Sequence, residues 1–161
     1  DSLSRYFFNA QLVTVQPKKI KNDSIITLQQ VRELDLGENI EAIVIRTLPN
    51  NEYKKTCNYS GTNPPYIDSK VAQFLIDKGV EHLLVDLPSV DKEQDDGVLA
   101  FHHTFWSVPK NPNKTRTITE FIFVPSNVED GLYILNLQMS AFSNDASPSR
   151  PILYSREKRN L

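Results

Sequence analysis

Two of the three histidines in this chain are adjacent, His102 and His103, and its only tryptophan, Trp106, follows closely. A carboxylate, Glu120, comes next in the β-rich run Thr117-Ile118-Thr119-Glu120. Imidazole nitrogen and carboxylate oxygen are ordinary ligands for zinc, manganese or iron. Residues 99–106 suit a helix or a strand. If they are extended, the two histidines point to opposite faces and at most one reaches a given site. Strand alternation puts Glu120 on the face of Ile118 and Ile122, where an unpaired carboxylate is costly. The competing reading is a surface histidine pair and an exposed glutamate. Two ligands alone are also fewer than a catalytic metal site requires.

Just upstream lies Val85-Asp86-Leu87-Pro88-Ser89-Val90-Asp91. Acidic groups at the C-terminal end of a strand occupy the edge where α/β sheets carry their sites. The plainer alternative is a turn at Pro88-Ser89 that Asp91 caps. No G-x-S-x-G elbow is present, which disfavours a serine nucleophile. His82, at a strand start, reads as structural. Cys57 sits in the lysine-flanked run Lys54-Lys55-Thr56-Cys57, a setting that favours thiolate, but has no catalytic partner in the pattern. As the single cysteine it excludes an internal disulfide and a four-cysteine zinc site.

The elements that must position these groups alternate strand and helix early, then run as successive strands. Ala10–Gln16 reads as a strand ending at Pro17, and Lys18–Asp23 as a polar connector. Thr27 and Gln30 have the spacing of a capping box for a short helix to Leu34, with Gly37 beyond it. Ile40–Leu48 is nearly continuous in apolar residues, the pattern of a strand buried on both faces. Pro49–Pro65 reads as a long loop. Asp68 is placed to cap a helix to about Lys78, Gly79 to end it, and His82–Leu87 to form the next strand. Thr117–Val124, Leu132–Phe142 and Ile152–Tyr154 read as strands, Asn144–Pro151 as a turn-rich connector, and Arg156–Leu161 as a charged tail. The expected fold class is α/β, with α+β as the alternative, and a mixed rather than purely parallel sheet.

The chain of 161 residues is long enough for one domain, taken as residues 1–161. With 18 basic and 20 acidic residues and a net charge of −2, neither a nucleic-acid surface nor an anionic-membrane binder is expected. No apolar run approaches the roughly 18 residues of a membrane span. Residue 1 is Asp and the only methionine is Met139, so the expectation is that more chain preceded this one. The cysteine usage suits a reducing compartment, with the cytoplasm favoured.

Read in order, Ile43–Thr47, Asp68–Gly79, Val85–Asp91, Ala100-Phe101-His102, Thr119-Glu120, Asp130–Tyr133 and Asp145–Pro151 resemble the cyclase family of metal-dependent hydrolases, which includes the kynurenine formamidases. The resemblance implies a swivelling β/β/α-type domain, usually a homo-oligomer. It implies a divalent metal, zinc or manganese, that activates water to hydrolyse an amide or other non-peptide C–N bond of a small-molecule substrate. His102 matches the family's later histidine ligand, with His103 as the fallback, and Glu120 matches its glutamate. The family's N-terminal H-x-G-T-H-x-D segment is missing, since His82, His102 and His103 are all the histidines. The expectation carried forward is the C-terminal part of an enzyme, inactive by itself. The alternative is a non-catalytic binding or oligomerisation domain that keeps the fold.

Overall fold

The computed structural model describes residues 3–141 and 144–156. Phe142 and the tail beyond Arg156 lie outside the described residues. Strand β1 spans Phe7–Val15, followed by β2 (Lys18–Ile20), β3 (Asp23–Ile26) and helix α1 (Leu28–Arg32). Then come β4 (Ala42–Thr47), a 3-10 turn at Glu52–Lys55, β5 (Tyr66–Ile67), α2 (Lys70–Asp77) and β6 (His82–Val85). The chain continues through α3 (Ala100–Phe105), β7 (Thr117–Thr119), β8 (Gly131–Asn136) and β9 (Ile152–Ser155).

The main sheet has the order β7-β6-β4-β1-β8-β9, and β2-β3-β5 form a smaller sheet. On the main sheet, β1, β4, β6 and β7 run parallel, whereas β8 and β9 are antiparallel additions. A helix interrupts each parallel connection, α1 before β4, α2 before β6 and α3 before β7, whereas β8 and β9 follow without one. The mixed α/β class is therefore what the chain adopts.

Strand alternation divides the core between the two faces of this sheet. Val13, Val15, Ile43, Ile45, Leu83 and Val85 pack against the helices through Val31, Val71, Leu75, Phe101 and Phe105. On the other face Phe8, Ala10, Leu12, Ala42, Val44 and Leu84 pack with Val124, Leu135 and Leu137. Every residue of β4 is buried, as its apolar run requires.

Local chemistry explains the helix boundaries. Thr27 and Gln30 form the full capping box of α1. The Asp68 carboxylate accepts from Lys70 N at 3.0 Å, although the residue at the cap position is Ser69, one further on than expected. Gly79 ends α2 at φ +81°, a left-handed conformation that suits glycine.

Three sequence expectations require correction. Lys18–Asp23 is not a connector: β2 and β3 pair as a hairpin, Lys18 opposite Ile25 and Ile20 opposite Asp23. All three β2 residues are exposed, so no apolar alternation announced the strand. The strand expected over Thr117–Val124 stops at Thr119, because Phe121 turns left-handed at φ +58°, although Phe121 N and Ile122 N still donate to Leu87 O and Val85 O. The strand expected over Leu132–Phe142 stops at Asn136, and beyond it Met139 makes an isolated bridge to Ser149.

His82 is structural, as its position suggested. It is 1% exposed, its ring lies 4.0 Å from that of Phe8, and its Nδ1 is 2.9 Å from the Thr117 hydroxyl. Burial, reinforced by the nearby Arg5 cation, lowers its pKa from 6.5 to about 4. The unfolded chain therefore binds a proton that the folded chain refuses. Stability falls as pH drops from 6.5 towards 4 and is regained as pH rises, an effect of about 3 kcal/mol. Urea melts should show this loss in the wild type. The difference between wild type and His82→Gln should change by that amount across the interval, and a pH-independent difference would refute the assignment.

Candidate functional site

The site lies where β6 and β7 end. After β6 the chain turns through Asp86–Asp91, and after β7 it bends at Glu120 and Phe121 while still bonded to Leu87 and Val85. Asp86 has a fully buried side chain, accepts two hydrogen bonds from Thr47 N at 3.0 and 2.9 Å, and pairs with Lys54 Nζ at 2.7 Å. Its lone pairs are taken by the framework, so it is an anchor and not a free acid.

Residues 99–106, ambiguous in sequence, form α3. Leu99 at its N-cap has no side-chain acceptor and sits at φ 44°, so the first N–H groups of the helix need a partner from elsewhere. Asp91 supplies it. Asp91 Oδ1 accepts from Phe101 N at 2.8 Å, and Oδ2 accepts from His102 N at 3.2 Å. The same Oδ2 is 2.7 Å from His102 Nδ1. A carboxylate can only accept, so Nδ1 carries a proton, and in the neutral ring Nε2 then keeps its lone pair. Burial acts to raise the Asp91 pKa, but the bonds from the His102 ring and the two N–H groups outweigh it and hold the carboxyl below its ordinary value. Trp106 flanks the ring, with centroids 4.9 Å apart.

The His102 lone pair faces Glu120. Nε2 and Glu120 Oε1 are 3.5 Å apart, with side-chain exposures of 13% and 27%. Glu120 Oε1 also accepts from Val90 N at 2.9 Å. Burial raises the Glu120 pKa, partly offset by that N–H and by His102. Two acceptors directed at one space need a proton or a cation between them. Glu120 shares the helix side of the sheet with Ile118, as alternation suggested, whereas Ile122 packs on the opposite face beyond the bend at Phe121.

His103 points away and is exposed. Of the adjacent histidines it is His102 that lines a cleft of about 1560 Å³, together with Trp106, Arg116, Glu120 and Phe121. Cys57 is not among the lining residues. No group of three or more His, Cys, Asp or Glu side chains is arranged to hold a metal among the described residues, so His102 and Glu120 are the available donors. The role of Asp91 in holding the ring was not read from sequence. An apolar residue at the N-cap of α3 was the signal that an outside carboxylate was required.

Removing Asp91 should act on both the helix and the ring. Asp91→Ala should cost about 1–2 kcal/mol in a urea melt from the lost cap. It should also move the ring ¹⁵N shifts of His102 towards a mixture of tautomers. Unchanged ¹⁵N shifts would refute the proposed hold on the ring.

Comparison with known proteins places this arrangement in context. The profile of the family described as "putative cyclase" matches residues 1–92. The kynurenine formamidase of Bacillus cytotoxicus is 31% identical over 144 residues, covering 88% of this chain and 63% of its own length. The chain thus spans less than two thirds of that relative. Solved structures share the fold. A potential metal-dependent hydrolase with cyclase activity superposes with a TM-score of 0.67 at 18% identity, over 94% of this chain and 67% of its own. A predicted metal-dependent hydrolase from Bacillus stearothermophilus gives 0.65 at 20% identity, over 91% and 62%. An isatin hydrolase bound to thioisatinate gives 0.61 at 14% identity, over 89% and 59%. With more than half of its length matched by the family profile, and with the sheet order and strand-end turns described above, the chain belongs to the cyclase family.

Proposed function

We propose that this chain carries part of the active site of a metal-dependent hydrolase that cleaves an amide or other non-peptide C–N bond in a small molecule. The observation that carries this reading is the pair of acceptors, His102 Nε2 and Glu120 Oε1, 3.5 Å apart with Asp91 fixing the tautomer from behind. A histidine held through its far nitrogen by a carboxylate is the usual setting of a metal-bound imidazole. Nitrogen and carboxylate oxygen together suit zinc or manganese.

A bound divalent metal supplies a water of near-neutral pKa and polarises the scissile carbonyl. The residues of this chain do the rest. His102 and Glu120 donate lone pairs to it. Asp91 keeps His102 in the ligating tautomer. Trp106 covers one side of the ring and limits access of bulk water. Two donors fall short of a catalytic set, so the complete centre draws further ligands from outside this pair. Self-association of the enzyme into a homo-oligomer belongs to the same reading.

The test uses the full-length protein loaded with zinc or manganese and assayed on an aryl formamide and on a cyclic amide. The expected result is hydrolysis of at least one, with bound metal by elemental analysis. His102→Ala and Glu120→Gln should each lower kcat/KM on the order of 1,000-fold and reduce metal content, with the far-ultraviolet circular dichroism preserved. An inactive full-length protein that binds no metal would overturn the reading and favour a non-catalytic domain.

A further inference from the structure

The cleft that holds His102 and Glu120 also holds a cation whose hydrogen-bonding capacity is only partly used. Arg116 precedes β7, and its Nη1 donates to Phe105 O at 3.2 Å and to Ser107 Oγ at 3.3 Å. The first bond sets a positive charge against the C-terminal end of α3, a stabilising position. That role uses one nitrogen. The Arg116 Nε is buried and without a partner, and Nη2 makes no hydrogen bond among the described residues. No carboxylate among the described residues pairs with Arg116, although the chain has enough acids to pair elsewhere with Arg46, Lys54 and Lys92. Burial seals Nε from the cleft, so the donor left for an outside carboxylate is Nη2, on a guanidinium whose charge has no carboxylate partner among the described residues.

Its place in the fold says which molecule would supply the acceptor. Arg116 lines the same cleft as His102 and Glu120. Arg116 and Glu120 are at opposite ends of β7, about 13 Å apart at roughly 3.3 Å per residue. Phe105, whose carbonyl Arg116 holds, is one helical turn from His102. One end of the cleft therefore carries His102 and Glu120, and the other carries a guanidinium that no carboxylate among the described residues neutralises. Lys114 and Arg150 also line the cleft, with Asp145 as the one further carboxylate, so the lining outside the His102–Glu120 pair is net positive.

We propose that Arg116 is a specificity-determining residue that binds a carboxylate on the substrate, several bonds from the C–N bond cleaved at the His102–Glu120 end. This rests on the hydrolase reading for the reaction but not for the binding. An Arg116 that serves only α3 would show no preference for an anion in the cleft.

Two arms separate the two ideas. In the first, binding of benzoate and of benzamide to the full-length protein is measured by calorimetry, which needs no turnover. The wild type should prefer benzoate by about 10- to 100-fold, the worth of a charge-assisted pair. Arg116→Gln should abolish that preference. Arg116→Lys keeps the charge at the end of α3 but lacks the fork, and should retain only part of it. Equal binding of the two probes by the wild type overturns the proposal even if Arg116→Gln does not fold, as does an unchanged preference in a folded Arg116→Gln. In the second arm, hydrolysis of 3-(4-formamidophenyl)propanoate, whose carboxylate lies across the ring from the scissile bond, is compared with that of its methyl ester. A wild-type kcat/KM ratio favouring the acid that collapses in Arg116→Gln supports the proposal, and an unchanged ratio overturns it. If neither compound is hydrolysed while the benzoate preference holds, the hydrolase reading fails and the anion site stands.

Discussion

Asp91 is a buried carboxylate that must be met by donors if it is to stay charged out of water. Phe101 N, His102 N and His102 Nδ1 meet it, at 2.8, 3.2 and 2.7 Å. Without this bond set α3 would have little reason to start where it does. A helix of six residues is too short to be stable by itself, and its N-cap residue offers no acceptor. Capping and the burial of Phe101 and Phe105 together make it a helix. The same carboxylate then determines which nitrogen of His102 carries the proton and where the other points. Helix formation, ring orientation and cleft chemistry all pass through one side chain on the turn after β6.

Around that turn the framework is fixed by ionic contacts rather than by regular structure. Arg46, 6% exposed, reaches from β4 to Thr14 Oγ1, to the carbonyls of Pro125 and Val128, and to Asp130. Lys54 reaches from the 3-10 turn to Asp86 and to the Thr47 carbonyl. Asn50 Nδ2 donates to Val124 O at 2.9 Å, tying the same loop to the segment after Glu120. Exposed ion pairs are worth little, but breaking a buried one leaves an uncompensated charge and costs about 3–5 kcal/mol. The buried Lys54–Asp86 pair and the bonds from buried Arg46 to the Pro125 and Val128 carbonyls therefore hold the irregular segments that flank Glu120, whereas Asp130 is half exposed and its pair with Arg46 counts for less. The exposed pair between Lys55 and Glu52 has no comparable effect.

Much of the frame was legible because its signals are local. The buried run of β4, the capping box at Thr27–Gln30 and the glycine after α2 are each decided by residues close in sequence. The site was legible only in part. His102 and Glu120 were marked by residue type and by family resemblance, but how they meet depends on contacts that no local pattern encodes. Asp91 acts on a helix that begins nine residues later, across an irregular acidic stretch. Glu120 faces His102 where the chain bends before Phe121, a left-handed residue that no local pattern announced. The β2–β3 hairpin was missed for a different reason: it lies outside the core, so no alternation of burial was imposed on its residues.

The chain also separates its charges along β7. At the C-terminal end of the strand the protein supplies acceptors, the His102 lone pair and the Glu120 carboxylate, in a setting whose burial raises the Glu120 pKa. At the N-terminal end it supplies donors, with Arg116 set against the last turn of α3. This polarity follows from the topology. A helix between two parallel strands returns antiparallel to them, so its N-terminus lies near the strand ends that carry Asp91 and Glu120, and its C-terminus near the strand start that carries Arg116. The helix dipole favours an anion at the first place and a cation at the second. Asp91 and Arg116 each satisfy the helix with part of their hydrogen-bonding capacity. Asp91 spends the remainder on the His102 ring, whereas Arg116 keeps Nη2 unbonded and its charge unpaired among the described residues.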